Sequence, residues 1–240
     1  TYIRSLCFVL QNVIREMYPD KVLAIDYSLP SGLYCEIREK DELYDGRPKV
    51  YFATDDEIEK IQNRMKEIIQ SDLPFKKTKQ TLEDAVKLFE SNGQKEKVNL
   101  ARSLGRISYS VYFLDGQADT FHGPLTPSTG YLKTFDLSGF NNGFCLQYPM
   151  DGSYGKVLPM KRQSKLAGAL KEHSDWCAIM GVKGVGSLNQ TVRDGKIIDL
   201  INLSEALHER KYADIADQIY ARRGSVKIVF IAGPSSSGKT

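Results

Sequence analysis

The residues of this 240-residue chain most explicit about chemistry are its last eight: Gly233, Pro234, Ser235, Ser236, Ser237, Gly238, Lys239 and Thr240. They fill the pattern G-x-x-x-x-G-K-[ST]. In such a loop the glycines let successive N–H groups turn toward phosphate oxygens. The lysine brings a mobile charge to the β- and γ-phosphates, and the threonine hydroxyl is placed on Mg²⁺. The spacing therefore predicts an ATP site over 233–240, with Thr240 as a metal contact through the nucleotide. The apolar run Val226 to Ala232 reads as a buried strand feeding that loop. A working loop also needs the amides of a following helix, then a metal-binding acid and a base. None of these lies in the sequence. The expectation is the front portion of a longer enzyme, inactive on its own, and a first residue Thr1 rather than Met suggests a cut start as well.

The positions upstream must fold around these residues, and composition bounds how. A length of 240 residues suits one large or two modest domains. Apolar residues make up 41%, with 10 Phe and 13 Tyr, which excludes a disordered chain. Net charge is +3 with both signs interleaved, which argues against a dedicated nucleic-acid surface while leaving room for a local basic patch. Cys7, Cys35, Cys145 and Cys177 are far apart among apolar neighbours, so free thiols in a reducing cytoplasm are expected, without zinc or disulfides. No apolar run has membrane-spanning length, so no membrane partner is expected.

Periodicity predicts a helix over 6–18, strands over 22–25 and 32–37, a polar hairpin tip over 41–48 and a short strand over 50–53. Thr54 with Glu57 makes a capping box before a helix with Ile58, Ile61, Met65, Ile68 and Ile69 on one face. A second helix starts at Thr81. Alternation marks strands over 108–114, 135–137 and 144–148. Helices over 164–173 and 205–221 follow, the latter with Leu207, Ile215, Ala216 and Ile219 inward, and strands are expected near 178–182. The glycines of 181–189 lack a nucleotide-loop register and read as a tight turn. His122, His173 and His208 read as structural or solvated, Trp176 as a core anchor, and Lys76–Lys77, Lys161–Arg162 and Arg222–Arg223 as hydrated surface.

Three stretches carry a resemblance: 8–20 with Ser31-Gly-Leu-Tyr34, the helix 54–75, and Gly123-Pro-Leu-Thr-Pro-Ser-Thr-Gly130 with 132–137. Over roughly 3–148 they resemble the second additional domain of threonyl-tRNA synthetases, which hydrolyses mischarged tRNA. The resemblance implies an H-x-x-x-H pair on the first helix and a C-x-x-x-H pair before the Pro-Ser-Thr-Gly segment. Here those four positions fall on Arg4, Phe8, Phe121 and Leu125. Phenyl and isobutyl groups bind neither metal nor water, and arginine is no base at neutral pH. Degenerate editing positions and no hydrolysis are therefore expected.

A synthetase-like body joined to a phosphate loop is similar to the bacterial two-part uridine kinases. That resemblance implies γ-phosphoryl transfer from ATP–Mg²⁺ to the 5′-hydroxyl of uridine or cytidine, in the cytoplasm. The fold class expected is α+β, helices on antiparallel sheet, followed by the first strand and loop of an α/β kinase. Divisions are expected at 1–149, 150–224 and 225–240. The alternatives are an RNA- or small-ligand-binding regulatory module, RNA being the less favoured partner, and an oligomer surface made from the emptied cleft.

Overall fold

The computed structural model describes residues 1–44, 47–150, 152, 155–182 and 184–233, with backbone alone at 41–44 and 47–48. It has two packed units, 1–190 and 191–240. In order, the elements of the first are α1 (Tyr2–Met17), β1 (Lys21–Leu29), β2 (Gly32–Tyr44), β3 (Arg47–Tyr51), α2 (Asp55–Gln70), β4 (Lys76–Thr81), α3 (Leu82–Ser91), α4 (Lys95–Ser103), β5 (Ser108–Leu114) and β6 (Gln117–Asp119). After these come β7 (Asp136–Phe140), β8 (Gly143–Gln147), α5 (Ser164–Ile179) and α6 (Val185–Arg193), which crosses the division. The second unit is built on α7 (Ile197–Ala221).

The fold is α+β, with helices packed on two antiparallel sheets. The larger runs β1-β2-β8-β7, with β3 also paired to β2, and the smaller runs β4-β5-β6. Successive side chains of a strand face opposite sides, and the larger sheet uses this to build two layers. Cys35, Ile37, Phe144 and Leu146 join Leu6, Phe8, Val9, Ile61 and Met65 of α1 and α2 in the main core. Their neighbours Tyr34 and Cys145 point the other way, toward Leu29, Phe140 and Ala167 of α5. The smaller sheet buries Tyr109, Val111 and Ala118 against Ala85, Val86 and Phe89 of α3 and Val98 and Ala101 of α4.

The α2 capping box forms as its residues dictate: Glu57 N–H donates to Thr54 Oγ1, and Glu57 Oε2 accepts from Thr54 N–H at 2.8 Å. Glu57 Oε1 also accepts from the Tyr51 hydroxyl at 2.5 Å. That Tyr51 bond, then the Thr54 N–H, hold the Glu57 carboxyl below its ordinary range against a smaller opposing effect of burial. Such a group contributes stability above the unfolded carboxylate pKa and loses it as pH falls through the folded value. Thr54→Ala is expected to cost about 1 kcal/mol in urea unfolding, and Glu57→Gln to flatten the acid limb of the stability–pH curve.

Other expectations are corrected. The strands expected near 178–182 do not form: α5 continues to Ile179 and a turn leads into α6, because helical spacing of Trp176 and Ile179 continues past the polar 172–175 stretch. The 181–189 glycines thus enter a helix rather than join two strands. Trp176 is half-buried on α5, outside the three buried clusters. Helix α7 is longer than expected and has no buried residue; Ile215 and Ile219 are exposed, since apolar and charged residues alternate all round it. Residues 226–232 form no strand. Ile228, Val229, Phe230 and Ile231 are exposed, and among the described residues no ladder takes up their backbone groups. An apolar run becomes a strand only with a neighbour to pair with. The kinase strand is therefore not present. Of the loop it was to feed, Gly233 is described and Pro234, Ser235, Ser236, Ser237, Gly238, Lys239 and Thr240 lie outside the described residues.

Among the described residues no helix is long and apolar enough to cross a membrane. All four cysteines are free. Burial pushes the Cys7 thiol up to about 12 and that of Cys145 to about 11, so both stay protonated and unreactive at neutral pH.

Candidate functional site

An α-helix returns to the same face about every fourth residue, so α1 lines up Arg4, Phe8, Asn12 and Arg15. The whole stripe faces the smaller sheet and the segment that leaves it. Arg4 donates from Nε and Nη2 to the Pro124 carbonyl at 3.4 and 3.3 Å. Ser5 Oγ accepts from Thr126 N–H at 2.9 Å. The fully buried Phe8 ring lies 5.2 Å from Phe121 and 5.9 Å from Phe75. Asn12 donates to the Leu114 carbonyl at 3.1 Å. Arg15 donates to the Ala118 carbonyl and to Asp119 Oδ2, both at 3.2 Å.

The structure thus brings Arg4, Phe8, Phe121 and Leu125 together between α1 and residues 121–125. Leu125 is buried in the same core as Phe8. Phe8 and Leu125 are buried and Phe121 is half-buried, so the rings pack on one another and not outward.

Beside this packing lies a charge cluster that sequence reasoning missed. Asp119, wholly buried at the end of β6, accepts from Arg15, from Gln94 Nε2 at 2.9 Å and from Thr120 N–H at 2.6 Å, and pairs with the Lys97 ammonium. Burial pushes the Lys97 ammonium below its ordinary range, and Asp119 opposes that shift. Arg15 behaves likewise. The sequence signal was available: a carboxylate beside Ala118 at an inward strand position must find cations.

Lys97 also opens onto a cleft of about 360 Å³ over the smaller sheet. Its walls carry Lys77, Lys79, Lys97 and Arg106, the rings of Tyr112 and Phe121, and no aspartate or glutamate. Lys77 and Lys79 of β4 stand opposite Tyr112 and Ser110 of β5, and opposite residues in an antiparallel pair share a face. The Lys77 ammonium sits 5.7 Å from the Tyr112 ring centre, and that of Lys97 5.8 Å from the Phe121 ring. The two rings meet edge to face at 6.3 Å. Lys77, expected as hydrated surface, is exposed and stands on the cleft wall, and the local basic patch left open by composition is here.

The other singled-out residues lie apart from it, save one. His122 is exposed on the cleft's rim. His173 lies 3.7 Å from Cys177 Sγ on α5, and His208 packs on Tyr212 at 4.4 Å. Among the described residues no group of three or more His, Cys, Asp or Glu side chains is placed to hold a metal ion.

No protein-family model matches the chain. It is similar to threonine–tRNA ligases. With that of Carboxydothermus hydrogenoformans it shares 31% identity over 134 residues, 55% of this chain and 20% of the ligase. With that of Syntrophotalea carbinolica it shares 27% over 138 residues, 57% of this chain and 20% of the ligase. With that of Burkholderia lata it shares 30% over 134 residues, 55% of this chain and 20% of the ligase. The chain therefore spans about a fifth of the length of these relatives. This overturns the kinase expectation, with its uridine or cytidine substrate and its phosphotransferase activity. The similarity is to tRNA ligases, and the strand that was to carry the phosphate loop is not formed. Neither alternative, a regulatory ligand module or an oligomer surface, is favoured by these relatives.

Proposed function

We propose that this chain serves an aminoacyl-tRNA synthetase-related function, in which the first unit engages the acceptor end of a tRNA. The observation that supports it most is the cleft with four cations, the Tyr112 and Phe121 rings among its aromatic side chains, and no carboxylate. Phosphates are met by Lys77, Lys79 and Arg106. A terminal base stacks on Tyr112 and Phe121, worth about 1–3 kcal/mol per base. The similarity to threonine–tRNA ligases makes tRNA the partner of choice among single-stranded polyanions.

Hydrolysis is not part of this function. Arg4, Phe8, Phe121 and Leu125 occupy the positions where the resembled domain carries its water-positioning pairs, and phenyl, isobutyl and guanidinium groups supply neither a metal ligand nor a base at neutral pH. The synthetase-like body is assigned to 1–149.

Filter binding of a tRNA acceptor-stem minihelix tests the reading. Removing two phosphate contacts in Lys77→Ala/Lys79→Ala is expected to lower the slope of log K against log salt by about 1.4, from ~0.7 per single-strand contact. An unchanged slope, or no minihelix binding by the parent chain, would reject it.

A further inference from the structure

On that reading, we propose that the cleft selects a 3′-terminal nucleotide whose ribose is unacylated, and turns away the aminoacylated end. Two independent features of the site say so.

The first is steric. Where the cleft wall reaches Phe121, Gly123 and Pro124, it is backed by side chains packed between α1 and residues 121–125. Phe8 is fully buried against Phe75 and Phe121, Leu125 is buried with it, and Arg4 is tied to the Pro124 carbonyl. The Arg4 guanidinium lies close over Gly123, whose φ is +112°: a Cβ there would come within 2.9 Å of Arg4 Nη2. A base and its phosphates have the outer walls to lie on. A group attached to the terminal ribose and directed inward meets packed rings.

The second is electrostatic. An aminoacyl ester carries an α-ammonium, a group with an ordinary pKa of about 7.7–8.0. A carboxylate is its strongest side-chain partner, and the lining has none. The nearby carboxylate, Asp119, is wholly buried, and its two oxygens are taken up by Arg15, Gln94, Lys97 and the Thr120 N–H. The aminoacyl end would bring its ammonium to a wall on which Lys77, Lys79 and Arg106 are cations and Lys97 already holds Asp119, with no carboxylate of the lining left to pair it. Specificity is a difference of affinities, and like-charge contact with an unpaired ammonium is a direct way to produce one.

The experiment compares one acceptor minihelix in three forms, by fluorescence anisotropy with the chain 1–240. One form ends in free ribose hydroxyls, one carries threonine through a stable 3′-amide, and one carries N-acetylthreonine through the same link. The free end is expected to bind about tenfold more tightly than the threonyl form, a difference of ~1.4 kcal/mol. The acetylated form, without the charge but with the bulk, falls between them. In Phe121→Ala, which opens this backing, the acetylated form approaches the free end while the threonyl form stays weak. Lys79→Ala, exposed and easily tolerated, narrows the gap between threonyl and acetylated forms without touching the packed rings. Binding of all three with equal affinity, or tighter binding of the threonyl form, overturns the inference while leaving the acceptor-end reading intact. Absence of binding by every form overturns both.

Discussion

Asp119→Ala is expected to destabilise the first unit by about 3–5 kcal/mol, the usual cost of removing one partner from a buried ion cluster. The carboxylate is wholly inaccessible and is the acid partner of Arg15 and Lys97. Both cations already feel their burial, which pushes Arg15 and Lys97 below their ordinary ranges. Without Asp119 nothing offsets that penalty, and α1, α4 and β6 lose their shared anchor. Asp119→Asn keeps two acceptor lone pairs but no charge and should fall between the two. Urea unfolding with an unchanged m-value is the appropriate readout. A loss under about 1 kcal/mol would mean that water reaches the cluster and that it does not fix Lys97 on the cleft wall.

Phe8→Ala is the second large effect, again about 3–5 kcal/mol, from lost transfer energy and the cavity left behind. Phe8 touches both Phe75, which follows α2, and Phe121, which follows β6, so its ring joins the main core to the cleft. Phe121, with its packing partner gone, should hold a stacked base less well, so weaker minihelix binding accompanies the lower stability. Thermal and urea unfolding check the first effect and anisotropy the second. Phe8→His should restore no deacylation of charged tRNA, because Arg4, Phe121 and Leu125 still supply no further ligand.

Much of the fold could be read from local chemistry. Thr54 and Glu57 set the start of α2, and the apolar alternation of 108–114 and 144–148 marked β5 and β8, because each signal acts within a few residues. What was not legible depends on neighbours. Lys76–Thr81 has no apolar residue and is a strand only because β5 offers it a full ladder. Helix α4 has a sparse apolar stripe and forms against α3 and β5. The cleft escaped for the same reason: its cations come from β4, α4 and the turn before β5, and no window along the chain contains them all. Residues 226–232 erred in the opposite direction, since their composition is strand-like but their pairing is missing.

The central claim is that an acceptor end lies on the basic, aromatic cleft of the smaller sheet. Backbone amide NMR of the chain, titrated with an unacylated acceptor minihelix, addresses it residue by residue. Shifts concentrated at 76–79, 97, 106–112 and 120–124, in saturable exchange and weakened by salt, are the expected result. Shifts confined to other surfaces, or none at all at low salt, would contradict it.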